Sequence, residues 1–179
     1  MALTNADRIM RKVLITITLL LTATFFAVAQ KYALVDMEYI LKNIPDYEMM
    51  NEQLDAVSKK WSEEVKKLQF DAETMYKKYQ TDLVYLSATQ KKQREEAIVK
   101  KEQEATELQT KYFGPEGELY KKRNELMKPI QEEIWNAIKE IAKSNNFYLV
   151  LDRSTGGIIY ANPGIDISDT VLKKMGYAH

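Results

Sequence analysis

Three adjacent carboxylate pairs, Glu63-Glu64, Glu95-Glu96 and Glu132-Glu133, are the residues of this chain whose type could do acid/base work. Such work needs two carboxyls held at one point in unlike environments. Neighbouring helix residues point about 100° apart, and each pair lies in a stretch of helical periodicity, so each reads as a solvated face. Asp36 and Asp152 stand in strand-like segments, where they mark strand ends or pair with Arg153. The single histidine is His179, the last residue, and cysteine is absent. An imidazole base, a thiol nucleophile and a Cys/His metal site are thereby excluded. Gly156-Gly157 and Gly164 are not followed by Lys and Ser/Thr at a helix start, so nucleotide binding has no support. The chain reads as a non-enzyme that needs neither metal nor cofactor.

Recognition is better represented than catalysis. Between positions 76 and 94, Lys77, Lys78, Lys91, Lys92 and Arg94 face one acid, Asp82, with Tyr76, Tyr79, Tyr85 and Leu86 among them. Cations interleaved with adaptable rings make a surface for holding another polypeptide. Packing between helices accounts as well for Tyr79 and Leu86, whereas Tyr85 reads as exposed.

These residues sit on a long helical hairpin. Leu54, Val57, Trp61, Val65, Leu68, Ala72, Tyr76, Tyr79, Leu83 and Leu86 follow one another by steps of three or four, which is one helix stripe with charged and amide residues between. Pro45 and Asp46 open this first arm, with Asp46 as the expected cap. Ser87 followed by Gln90 is a capping-box pattern and sets the reversal near 87. The return arm has a thinner stripe, Ala97, Ile98, Ala105, Leu108 and Tyr112. Gly114-Pro115-Glu116-Gly117 breaks it, opposite Lys60 and Trp61 on a simple count from the tip, and reads either as a hinge or as an irregularity without a role. Pro129 reads as a second interruption, followed by a dense apolar face from Ile130 to Ala142.

Residues 30–45 and 146–179 remain for a compact body, and the arm takes 46–145. Strands are expected at 31–37 and 147–152, and at 158–161 returning from the turn cluster Ser154-Thr155-Gly156-Gly157. A short helix at 169–175 follows, capped by Ser168. Three short strands bury too little apolar surface to stand alone, and association through the strands resolves this.

The first 29 residues read as a secretory leader: Arg8, Arg11 and Lys12 precede a sixteen-residue apolar run ending in Ala27-Val28-Ala29. That run is shorter than the ~20 residues of a spanning helix. Without the leader, 23 Lys plus Arg stand against 25 Asp plus Glu, which argues against a nucleic-acid binder.

The ordered combination of leader, KYALVDMEYIL, charged hairpin, FYLVLD and the ending ISDTVLKKMGY resembles the OmpH/Skp family of periplasmic chaperones. The resemblance implies a mainly α fold with a small β body. In it, strands of three chains form a joint barrel-like body from which helical tentacles project around a cavity. It implies an ATP-independent holdase in the periplasm that keeps unfolded outer-membrane β-barrel proteins from aggregating, with no stable membrane insertion once the leader is cleaved. Client contact is then expected at the tip residues above, body contacts at Leu34, Val35, Leu149, Leu151 and Ile159, and a hinge at Gly114, Pro115 and Gly117. The best-known members are strongly basic, whereas this chain is near neutral, so no lipopolysaccharide site is carried over. A structural coiled-coil spacer of the envelope, or a signal-anchored subunit of a membrane complex, would share the hairpin.

Overall fold

The structure, a computed structural model, describes residues 31–177 together with Met10. The leader expected at 1–29 and His179 lie outside the described residues, Met10 excepted.

Strand β1 (Lys31–Val35) leads to helix α1 (Met37–Lys42), and the long helix α2 (Pro45–Asp82) carries the chain away. After a 3-10 turn at Leu83–Tyr85, helix α3 (Ala88–Phe113) returns, and helix α4 (Glu118–Asn145) continues to strand β2 (Phe147–Asp152). A second 3-10 turn (Pro163–Ile165) and helix α5 (Ser168–Lys174) close the fold. The 38 residues of α2 span roughly 57 Å at 1.5 Å each. The fold is mainly helical with a small two-stranded sheet.

β1 and β2 pair in parallel, with Ala33 opposite Val150 and Leu34 opposite Leu151. Parallel strands need a crossover connection, and here the entire hairpin is that crossover. The body is held by Ala33, Val35, Ile40 and Ile44 packed against Ile130, Ile134, Ala137 and Ile141 of α4, with Val171 and Leu172 of α5 closing the cluster. Met50 joins it, so the core reaches up into the root of the arm.

The expected strand at 158–161 does not form, and the third place in the sheet is taken differently. Asp166 makes a single parallel bridge to Leu34, and the Ile167 N–H donates to the Leu34 carbonyl at 2.8 Å. β1 thus has both edges engaged, by β2 and by this segment. Residues 158–161, expected to return beside β2, do not pair with it, and Ile159 stands fully exposed at 102%. Strand propensity without a partner leaves a coil.

Three expected helix signals also resolve otherwise. Asp46 does not cap α2. Ile44 holds the cap position without a side-chain bond, Pro45 takes the first turn, and Asp46 and Glu48 sit against the positive end of the helix dipole. Pro129 does not interrupt the chain either, lying inside α4. Ser168 is the first residue of α5 rather than its cap, which is Ile167.

At the tip, the Ser87 Oγ accepts from the Gln90 N–H at 3.3 Å and the Gln90 Oε1 accepts from the Ser87 N–H at 2.9 Å. This reciprocal pair starts α3 where the reversal must occur. Ser87→Ala is expected to cost about 1 kcal/mol. Hydrogen exchange at the first turn of α3 should rise while the body amides stay protected.

Candidate functional site: the hairpin arm and the open sheet face

The two arms touch through few apolar groups. Val65, Ala72 and Tyr79 of α2 are buried against Ile98 and Ala105 of α3. Polar pins secure the two ends of this seam. Near the tip, the Tyr79 hydroxyl donates to Glu95 Oε1. Toward the body, the Tyr112 hydroxyl donates to Glu64 Oε2 at 2.7 Å, and its ring stacks on Trp61 at 4.6 Å between centroids. Hydrogen bonding to the carboxylates holds both phenols above the ordinary tyrosine range. They are therefore protonated donors at neutral pH.

The tip residues differ in what they offer. Tyr76 is half exposed, Tyr85 is 87% exposed, Leu86 is partly covered, and Tyr79 is committed to the seam. Lys77 pairs with Glu73 at 2.6 Å, Lys92 with Glu96 at 3.9 Å and Arg94 with Asp82 at 3.8 Å. Lys78 and Lys91 have no ion pair among the described residues. Glu73 and Glu96 lie just outside the window that looked basic in the sequence, and one helical turn brings each to its lysine. Exposed pairs of this kind contribute about 0–1 kcal/mol and leave the cations able to exchange partners.

Three further exposed apolar side chains, Phe70, Val84 and Val99, extend this surface along the arm. Sequence reasoning passed over them because it followed the stripe. The signal was present: Phe70 falls between Leu68 and Ala72, out of phase with the three-or-four step, and an apolar residue out of phase faces solvent.

The break between α3 and α4 is tightly built. The Gly114 N–H donates to the Thr110 carbonyl and the Gly117 N–H to the Gly114 carbonyl, each at 2.9 Å. An open groove of about 560 Å³ flanks it, lined by Thr106, Thr110, Gly114, Pro115 and Lys121 among others. Tyr112, rather than the break, meets the Trp61 indole.

The sheet presents two unlike faces. Ala33, Val35 and Val150 pack on the helices, so Val35 belongs to the chain's own core. Tyr32, Leu149 and Leu151 lie outward and exposed, with Leu34 beside them but buried at 4%. The outer edge of β2 has no strand beside it among the described residues.

The carboxylates expected at the strand ends are structural. Asp36 caps α1 by accepting from the Tyr39 N–H at 2.9 Å. Arg153 reaches Asp36 and Asp166 at 3.2 Å each, tying β1, β2 and the closing segment together. The Ser168 Oγ accepts from the Asp36 N–H at 2.8 Å and donates to Asp166 at 2.6 Å. Among the described residues no group of acids or histidine could hold a metal ion.

Asp152 links the strand end to both neighbours. Burial pushes its carboxyl up, but donation from the Ser154 hydroxyl and N–H and from the Met37 N–H outweighs this and holds it below the ordinary range. A depressed carboxylate contributes stability above its unfolded pKa of ~3.9 that is lost as pH falls through the folded value. The amides of Ser154 and Met37 should therefore lose exchange protection below about pH 4. In Asp152→Asn that acid limb should disappear.

A family model described as outer membrane protein (OmpH-like) matches residues 31–175. The chaperone protein Skp of Yersinia enterocolitica is 27% identical over 158 residues, covering 88% of this chain and 93% of that protein. The crystal structure of an OmpH-like protein from Caulobacter crescentus CB15 superposes with a TM-score of 0.68 at 12% identity, covering 83% of this chain and 85% of that one. That likeness speaks to the fold, a long helical hairpin on a small mixed body. With the match running from the first residue of β1 to the C-terminal cap of α5, the chain belongs to the OmpH-like outer membrane protein family.

Proposed function

We propose that the protein is an ATP-independent periplasmic holdase that keeps unfolded outer-membrane β-barrel proteins from aggregating between the arms of a homotrimer. One observation carries the reading: Phe70, Tyr76, Val84, Tyr85 and Val99 stand exposed on a hairpin too slender to bury them. A permanent structural spacer would hide such groups in helix contacts, whereas a holdase needs them wet and available. The named relative is a chaperone, which agrees with this use.

Association rests on the body. Tyr32, Leu149, Leu151, Ile159 and Tyr160 are exposed, and the outer edge of β2, which has no strand beside it among the described residues, invites pairing with another copy. Three arms around one client then act by multivalency, since many weak contacts raise the local concentration of arm surface. Gly114, Pro115 and Gly117 are the joint at which each arm adapts to client size. Release needs no nucleotide, because folding of the client removes the apolar surface that the arms hold. A leader cleaved after Ala29 supplies the periplasmic address.

Light scattering tests this directly. A urea-unfolded outer-membrane barrel diluted into buffer should stay clear as mature protein is added without nucleotide, saturating near three chains per client. Persistent scattering at excess folded protein would overturn the holdase.

A further inference from the structure

Where α2 leaves the body and α4 comes back to it, a groove of about 260 Å³ opens between the two helices. Met50 and Ile130 form its buried floor, and Met49, Leu126 and Pro129 line its walls. Its rim carries the carboxylates of Asp46 and Glu133. Neither has an ion pair among the described residues. Burial first, and then these two carboxylates together, push the Tyr177 phenol up, so their fields converge on one place.

The polar side chains lining the groove are two carboxylates and the Gln53 amide, so its side-chain charge is wholly negative. An occupant must bring donors, positive charge and an aliphatic stem. The volume falls just under the ~300–1,000 Å³ of small-molecule sites, which suits one side chain. Methionine walls adapt to varied stems.

We propose that this groove takes the basic side chains of an unfolded client polypeptide, arginine above all. The inference rests on the chaperone reading and deepens it by naming what the arm root recognises. Arginine's fork of five donors can serve both carboxylates at once while its methylenes lie along Met49 and Leu126. Clients would then be held by apolar contacts along the arm and by charge at its root, with the near-neutral total charge of the chain concealing a local acidic seat.

Fluorescence anisotropy of two fluorescein-labelled nonapeptides tests this, one alternating leucine with arginine and its twin with uncharged citrulline for arginine. Asp46→Asn/Glu133→Gln should bind the arginine peptide at least fivefold more weakly and the citrulline peptide as the wild type does. Met49→Arg, which supplies an internal guanidinium and keeps both acids, should weaken the arginine peptide equally. Circular dichroism melts establish that each variant is folded. If both peptides respond alike to the variants, or neither responds, the groove assignment is overturned, and parallel suppression of barrel aggregation shows that the chaperone reading survives. If the wild type binds neither peptide and suppresses no aggregation, both fall.

Discussion

Replacing Leu149 and Leu151 together by lysine is expected to turn the proposed trimer into a folded monomer. Both side chains lie on the face of β2 turned away from the helices, outside the apolar cluster that holds the body, and both are about half exposed, at 46% and 44%. Covering the remaining half of a leucine is worth about 1 kcal/mol. Over a trimer this comes to about 6 kcal/mol, on the order of 10⁴ in association constant. Lysines buried without partners would add to the loss.

The helices should be untouched, since Ile134, Ile40 and Val171 keep their neighbours. On the trimer proposed above, sedimentation should report one chain for the variant against three for the wild type, at unchanged far-UV dichroism. Suppression of barrel aggregation should weaken by a factor of 10²–10⁴ as multivalency is lost, in the range expected when linked sites are separated. A double variant that still sediments as a trimer would show that this face is not the interface.

Replacing Gly114 and Gly117 by alanine is expected to have the second large effect, and the reason is close approach rather than backbone freedom. A Cβ on Gly114 would lie 2.4 Å from the Thr110 carbonyl oxygen. On Gly117 it would lie 2.7 Å from the Tyr112 oxygen and 2.9 Å from the Gly114 nitrogen. The obstacles are backbone atoms, so no rotamer change relieves them. The turn must open, at a cost of roughly 1–3 kcal/mol per site.

Pro115 meanwhile bars a continuous helix, so the chain cannot escape into a straight arm. The expected result is a changed angle between α3 and α4, a lowered melting temperature and a narrower range of client sizes held. Replacing Gly114 and Pro115 instead admits a straighter, stiffer arm and should narrow the range at smaller loss of stability. If small and large barrels are both protected as before by either variant, the break is not the adapting joint.

The features legible in the amino-acid sequence are the local ones. A stripe from Leu54 to Leu86 specifies a helix of that length because each residue three or four on lies on the same face. Ser87 and Gln90 specify where it turns, since their reciprocal bonds span one helical turn. The break at Gly114 follows from Pro115 next to it. The absence of cysteine, and of histidine before the last position, removes whole classes of chemistry without any structure.

Pairing between distant segments was decided only in three dimensions. Nothing in residues 158–161 says that they will stay unpaired after β2, or that Asp166 will be the residue that bridges to β1 instead. Pro129 looked like a break, yet the neighbours of α4 hold it helical. Val35 and Leu34 are alike in sequence, but the register with β2 turns Val35 into the core and Leu34 to the other face. Two of the five tip cations, Lys77 and Lys92, meet acids that lie outside the basic stretch, Glu73 and Glu96, because each is one helical turn away. The acidic groove at Asp46 and Glu133 exists because residues 87 positions apart meet at the arm root. Periodicity reports which face of an element is apolar, but only the closed fold decides what that face meets, because strand pairing and groove formation depend on contacts that no local window contains.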